Sequence, residues 1–358
     1  MTIFKYLLFP IFLIYWGIIA FRNVLYDKKI FKSSTFDLPI ITIGNLSMGG
    51  TGKTPHTEYL IQLLQDEYNI TTLSRGYGRK TNEFIIAEEG DTASVIGDEP
   101  LQYHLKFPKI NVAVEKKRVL GVLYLLHFLP ETDVILLDDA FQHRALNAGL
   151  NILITDYAKP YYEDALLPFG ELREPAKGAE RAQIIIVSKC PATITAEQKK
   201  KIIESIARPT IPVFFTTLNY SKIYNAQTKE ELDAPLINYE VLLVTGIAKP
   251  KNIYTHLESE KIPFSNLQFA DHHKFTKKDI QRISEKFDTF TTSKKIILTT
   301  EKDYARMIEH PEFKKLPVYC LPVAVEFLEN KEQFDQLIFN YVRANKRDSS
   351  VFEAENQL

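Results

Sequence analysis

The sequence predicts an α/β fold built on a doubly wound parallel sheet, and three observations carry that reading. Six short apolar or β-branched runs, at residues 40–43, 70–73, 110–114, 134–137, 151–156 and 184–188, alternate with segments long enough for helices. The first run leads into Ser47-Met48-Gly49-Gly50-Thr51-Gly52-Lys53-Thr54-Pro55, and an apolar-periodic stretch with Tyr59, Leu60, Leu63 and Leu64 follows. The fourth run ends in two acids, Asp138 and Asp139. Strand, glycine-rich turn and helix, with a carboxylate at a nearby strand tip, make the sheet one of P-loop NTPase type.

Size and charge narrow the class. A chain of 358 residues, 45% hydrophobic and 25% charged, is long enough for two domains. A formal charge of −1 gives no field that would hold a polynucleotide, so no nucleic-acid partner is expected. Cys190 and Cys320 form no C-x-x-C spacing, which argues against a disulfide framework or a zinc site and suits a reducing compartment.

In chain order, residues 7–21 are apolar on every side, with Lys5 before them and Arg22, Lys28, Lys29 and Lys32 after. Fifteen residues fall short of the ~20 a spanning helix needs. No small-residue cleavage pattern lies near Ala20. The expectation is a membrane-associating helix over 1–30, seated in one leaflet with Trp16 near the headgroups and the lysines on anionic lipid; a buried core helix is the alternative.

A domain over 31–208 then carries the phosphate cradle. Its glycines let backbone N–H groups converge on phosphate oxygens, Lys53 can reach the β- and γ-phosphates, and the Thr54 hydroxyl can ligate Mg²⁺. Pro55 suits a first helical turn that needs no N–H from it. Ser47 stands where the usual pattern has its first glycine, so residues 47–54 as a set are the expected ATP contacts. Arg75, among glycines after the second strand, can clamp a phosphate. Asp98 precedes a helix beside Glu99 and has the chemistry to take a proton from a hydroxyl, although such acids also complement a helix dipole. Arg118 reads as an anion contact or a solvated charge. Asp138 is the first expected Mg²⁺ partner and Asp139 the second, with Gln142, His143 and Arg144 where a substrate can lie. Arg173 and Glu174 follow in a proline-flanked loop.

Residues 209–239 read as an antiparallel β linker, 240–346 as a smaller α/β domain with strands near 240–245, 296–300 and 318–323, and 347–358 as a frayed tail. The adjacent His272 and His273 are a poor metal site, with no third ligand nearby. Thr300 caps the helix that follows it.

Taken together, Gly44-Asn45-Leu46, the loop to Pro55, Ser74-Arg75-Gly76-Tyr77-Gly78, Gly97-Asp98-Glu99-Pro100, Asp138-Asp139 with Phe141-Gln142-His143-Arg144, Leu172-Arg173-Glu174-Pro175, Asp271-His272-His273 and Thr300-Glu301-Lys302-Asp303 resemble the tetraacyldisaccharide 4'-kinase family of lipid A biosynthesis. The resemblance implies phosphorylation by ATP and Mg²⁺ of the 4'-hydroxyl of a tetraacyldisaccharide 1-phosphate, by a monomer at the cytoplasmic face of the inner membrane of a Gram-negative bacterium. It implies Lys53 on the triphosphate, Asp98 as base paired with His272, and Arg75, Glu99, Arg118, Gln142, His143, Arg173 and Glu174 as substrate contacts. From spacing alone, His273 is as good a partner for Asp98 as His272. A membrane-associated switch ATPase is the competing reading, but such proteins carry a second lysine where this chain has Met48.

Overall fold

The computed structural model describes residues 2–206 and 210–346, so the expected tail lies outside the described residues. The chain opens with α1 (Thr2–Asp27), β1 (Ile40–Gly44), α2 (Lys53–Leu64), β2 (Ile70–Ser74), β3 (Ile85–Ile86), α3 (Ala93–Ile96) and α4 (Asp98–Lys106). It continues through β4 (Asn111–Val114), α5 (Arg118–Phe128), β5 (Val134–Asp138), β6 (Leu150–Asp156), β7 (Ile184–Ser188), α6 (Ala196–Ile206), β8 (Val213–Tyr220) and β9 (Tyr224–Asn225). Next come β10 (Glu240–Thr245), α7 (Lys251–Ser259), β11 (Phe264–Gln268), α8 (Lys277–Asp288) and β12 (Lys295–Thr299). The last elements are α9 (Glu301–Met307), β13 (Val318–Cys320), β14 (Val323–Phe327) and α10 (Lys331–Ala344).

A 9-stranded sheet runs in the order β14-β8-β7-β6-β1-β5-β2-β4-β3. Its interior pairs are all parallel, and its two edges, β14 and β3, are antiparallel. The central strands β1, β2, β5 and β7 are buried along their whole length, which is why they read as unbroken apolar runs. Helices cover both faces, as parallel strands require.

The smaller body is a 5-stranded sheet, β11-β10-β12-β13-β9, of which only β9 is antiparallel. The structure corrects the expected limits between the bodies. Residues 213–220, assigned to a linker, form β8 beside β7 in the large sheet, and the consecutive buried residues Phe214, Phe215 and Thr216 suit that interior position. β14 and α10, assigned to the smaller body, return to the large one. There Phe334, Ile338 and Val342 of α10 enter the core that holds Ile41, Ile43 and Ile152. The chain therefore crosses twice at one place: Cys320 pairs with Tyr224, Val323 pairs with Tyr220, and the Ser221 N–H reaches Pro322 O at 2.9 Å.

The two bodies also meet along α4 and α9. Leu101 of α4 packs in one apolar cluster with Ala305 of α9. Beside it, the Lys106 ammonium lies 2.7 Å from Glu58 on α2 and 2.8 Å from Glu301 on α9, while Tyr224 donates to Glu301 at 2.7 Å and Gln102 to Glu58 at 2.7 Å. A cavity of about 360 Å³ opens next to this cluster, lined by Tyr59, Lys222 and Lys229 among others.

One ammonium between two buried carboxylates leaves a charge uncompensated. Burial accordingly pushes the Glu58 carboxyl up to about 7, against the pull of Lys106. An acid whose folded pKa lies above its unfolded value keeps a proton the unfolded chain has lost, so its contribution to stability falls as pH rises from about 4.5 to about 7. Removing that titration with Glu58→Gln is expected to flatten the fall in melting temperature across that window. Parallel melting profiles for the two proteins would contradict the assignment.

Candidate active site

The phosphate loop leaves the carboxyl end of β1, in the middle of the large sheet. Gly44 must be glycine because a Cβ there would lie 2.6 Å from the Phe141 Cβ. Asn45, fully buried, holds the loop from inside: its amide donates to Thr51 Oγ1 at 3.0 Å and its carbonyl accepts from Lys53 Nζ at 3.3 Å. Gly52 takes φ 91° directly before α2, a conformation that L side chains rarely adopt. The first-turn amides of α2 have no acceptor within the helix and are available to an anion. His56 braces the same turn. Its Nδ1 lies 2.7 Å from Gly52 O and its Nε2 3.0 Å from Thr216 Oγ1, an arrangement that fits a neutral ring, and burial lowers its pKa to about 4.

Not every loop residue expected to hold phosphate has a free amide. The Met48 N–H donates to Glu171 O at 2.6 Å, and the Thr51 N–H turns back to Gly49 O at 3.1 Å. The loop after β6 thus fixes Met48, leaving Gly49, Gly50, Gly52, Lys53 and Thr54 as the cradle's open part. Lys189, which sequence reasoning passed over, bonds Gly50 O and reaches Asp156 at 2.7 Å. Its signal was its place directly after a sheet strand that ends on the same edge.

β5 runs beside β1 with Ile43 opposite Asp138, so the two acids stand next to the loop. Asp138 is 2% exposed; Tyr103 of α4 donates to its Oδ2 at 2.9 Å, and its Oδ1 has no partner among the described residues. Burial, with Glu99 and Asp139 nearby, raises its pKa to about 7. A buried carboxylate oxygen without a donor fits a divalent cation, with the Thr54 hydroxyl as a second ligand. The described residues contain no cluster of three or more His, Cys, Asp or Glu side chains that could hold a metal. Asp139 differs. At φ 48° it turns to Arg173, whose Nη1 lies 3.0 and 2.9 Å from its two oxygens, and to Lys53 at 3.5 Å. Against the opposing effect of burial, Lys53 and Arg173 hold its carboxyl below the usual range.

Cationic groups collect at the same edge. Arg75 is exposed, whereas Arg118 is 2% exposed and is therefore not the solvated charge that its place before a helix allowed. Its Nη1 donates to Glu115 O at 2.6 Å, and Nε and Nη2 have no partner among the described residues. Burial brings this guanidinium down to about 10. Burial, then Arg118 and Arg75, lowers His143 to about 4. Glu174, expected to touch substrate, is instead 1% exposed and bonded to Gln142 at 3.0 Å and Arg181 at 2.7 Å. It places Gln142, whose amide also donates to Asn45 O at 2.8 Å.

Asp98 begins α4, after Gly97 at φ 99°. Its Oδ2 lies 3.4 Å from His272 Nδ1 in the smaller body. Of the two adjacent histidines, His272 is the one that faces Asp98, whereas His273 Nε2 faces Asp279 at 3.0 Å and its ring stacks on Phe269. Glu99 faces Lys302 of the smaller body at 3.4 Å. Arg306, which the sequence did not single out, stands 3.8 Å from the same Asp98 oxygen.

A parallel sheet with this loop, Lys53 at its tip and paired acids on the next strand defines a P-loop NTPase-type phosphate-binding enzyme. A family model described as tetraacyldisaccharide-1-P 4'-kinase (LpxK) matches residues 4–343, and the chain belongs to that family. The tetraacyldisaccharide 4'-kinase of Bacteroides thetaiotaomicron is 43% identical over 365 residues, covering 98% of this chain and 96% of its own. That of Flavobacterium psychrophilum is 44% identical over 342 residues, covering 94% and 97%. Among solved structures, the "apo" form of LpxK from Aquifex aeolicus in complex with ATP is 30% identical, covers 95% of this chain and 99% of that one, and superposes with a TM-score of 0.76.

The start of α4 depends on Gly97. A Cβ there would lie 3.0 Å from the backbone of Gly76 at a φ that disfavours any side chain. Gly97→Ala is expected to cost about 1–3 kcal/mol of stability and to slow turnover by moving Asp98. Unchanged melting and unchanged rate would contradict this.

Proposed function

We propose that the protein transfers the γ-phosphate of ATP to the 4'-hydroxyl of a tetraacyldisaccharide 1-phosphate, at the cytoplasmic face of the inner membrane, with Asp98 as the base. The observation that carries this reading is the placement of α4. Its first residue faces His272, and Tyr103, five residues and about 7.5 Å along the helix axis, touches Asp138 beside the phosphate loop. Acceptor and donor groups are thus held by one rigid element.

Phosphoryl transfer passes through a loose transition state, so positioning and charge stabilisation supply most of the acceleration. The open amides of the loop and the Lys53 ammonium hold the triphosphate; Lys53, fixed by Asn45 and Asp139, is poised for charge that grows on the transferring group. Thr54 and Asp138 would hold Mg²⁺, and bound metal would neutralise charge on the β- and γ-phosphates. Asp98 takes the hydroxyl proton. Arg75, Arg118 and the neutral His143 offer donors to the anionic sugar. Because Asp98 and His272 belong to different bodies, the site is complete only with the two in contact, which restrains hydrolysis of ATP when no lipid is bound. The switch-ATPase reading is not favoured, since the family match spans both bodies.

The first helix supports a membrane setting. One side of α1 packs on the site loops: Tyr15 donates to Arg173 O at 2.8 Å, Phe12 meets Phe169, and Arg144 bonds Asn23 O at 2.9 Å and Asp27 at 2.6 Å. Its other side exposes Leu13, Ile14, Trp16, Ile18, Phe21 and Val24, a continuous apolar face of the kind that seeks lipid. No helix among the described residues is long and apolar enough to cross a membrane. A helix lying in one leaflet would present the lipid substrate to the arginines without its leaving the bilayer.

Incubation with labelled ATP and tetraacyldisaccharide 1-phosphate should yield a labelled lipid, and Lys53→Ala should lower kcat by about two to three orders of magnitude with little change in melting temperature. Near-full activity in that variant would end the phosphate-loop mechanism. Deletion of residues 1–25 should release the protein from anionic phospholipid vesicles; unchanged co-sedimentation would refute the role of α1.

A further inference from the structure

Arg306 sits on α9 of the smaller body, 5% exposed, and the reaction as described above makes no use of it. Its Nη2 donates to Asp303 Oδ1 at 2.5 Å and to Gly246 O at 3.0 Å, and its Nε donates to Lys302 O at 3.4 Å. Asp303 cannot follow a moving partner. It is fully buried, and its Oδ2 accepts from the Thr300 hydroxyl at 2.8 Å and the Gly246 N–H at 3.1 Å. The guanidinium is therefore locked into the frame of the smaller body. From that frame its Nε stands 3.8 Å from Asp98 Oδ2, the oxygen that also faces His272, while Nη1 has no partner among the described residues.

Held this way, the guanidinium stands between two carboxylates, one in each body: Nη2 donates to Asp303, while Nε, whose N–H goes to Lys302 O, faces Asp98 Oδ2 at 3.8 Å as a charge contact beyond hydrogen-bond reach. A guanidinium does not shuttle protons, so the effect of Arg306 on Asp98 is orientation and charge. We propose that Arg306 is a positioning residue for Asp98, a buried cation of the smaller body that turns the carboxylate toward the acceptor hydroxyl while α9 lies against α4. As the hydroxyl oxygen bonds to the γ-phosphorus and the bond from that phosphorus to the β-phosphate oxygen breaks, the proton passes to Asp98 and ADP leaves. Arg306 neither gains nor loses a proton. The inference rests on Asp98 being the base.

The same contact explains the neighbouring charges. Lys302, one turn before Arg306, faces Glu99, the residue after Asp98, so two cations of α9 meet two adjacent acids of α4. Their order fixes the register of the helices, and a slip would separate both pairs.

The test is steady-state kinetics of lipid phosphorylation for Arg306→Ala, Arg306→Gln and Arg306→Lys, alone and with Asp98→Ala. Misplacing a reacting group by an ångström costs up to about a hundredfold in rate, so Arg306→Ala is expected to lower kcat by about 10- to 100-fold. The KM for ATP should stay unchanged, because the phosphate loop belongs to the other body. Arg306→Lys, which keeps the charge, should recover most of the rate. In the Asp98→Ala background, Arg306→Ala should cause almost no further loss. Where Arg306→Ala melts early because Asp303 is left unpaired, the Asp303→Asn/Arg306→Gln double variant removes both charges and carries the same comparison. Wild-type kcat in these variants, losses that multiply with Asp98→Ala, or a lysine variant no better than alanine would each overturn the proposal. Should Asp98→Ala itself keep the wild-type rate, the base assignment falls; an impaired Asp98→Ala beside an unimpaired Arg306→Ala removes the role of Arg306 alone.

Discussion

Helix α4 is fixed at three points along its nine residues, and the geometry of the site follows from that constraint. Asp98 at its start faces His272, Tyr103 in its middle bonds Asp138, and Lys106 at its end lies between Glu58 and Glu301. Two of these contacts reach the smaller body and two reach the large sheet or its phosphate-loop helix. A rigid rod held this way cannot turn without breaking a buried polar contact, and each such break leaves a costly unpaired group. The rod therefore ties the position of Asp98 to that of Asp138, and both to the contact between the bodies.

The site is also where the molecule leaves polar atoms unsatisfied. Asp138 Oδ1, Arg118 Nε and Nη2, and Arg173 Nε are buried without a partner among the described residues, although buried polar groups in folded proteins are nearly always paired. Under the proposed function, these atoms would meet a polyanion and a divalent cation. A phosphate supplies acceptors for the guanidinium donors, and a cation supplies what the carboxylate oxygen lacks. His143, kept neutral by burial and two arginines, adds a hydrogen-bonding group without adding to their mutual repulsion. The exposed apolar side of α1 is the counterpart of these atoms, a face left without a partner among the described residues.

Much of this was legible in the sequence, for a physical reason. Buried parallel strands must be apolar throughout, and their tips carry the chemistry, so the large sheet, Lys53 and the two acids could be read from composition and order. What stayed hidden depends on tertiary routing. The seam of Phe334, Ile338 and Val342 shows that α10 is amphipathic, but nothing in it says that the chain has crossed back to the first core. Spacing could not separate His272 from His273, because adjacent residues in a turn differ by backbone direction, here φ 54° at His272. The engagement of Met48 by Glu171, the burial of Glu174, and the roles of Asn45, Tyr103 and Arg306 arise from contacts between residues distant in the chain.

The central claim is that Asp98 and His272 act as one unit assembled from two bodies. Non-additivity is the behaviour expected of groups that work together. The most direct measurement is a double-mutant cycle on kcat for lipid phosphorylation with Asp98→Ala and His272→Ala. The account predicts that the double variant is little slower than the slower single variant. A double variant whose loss equals the product of the two single losses would contradict it.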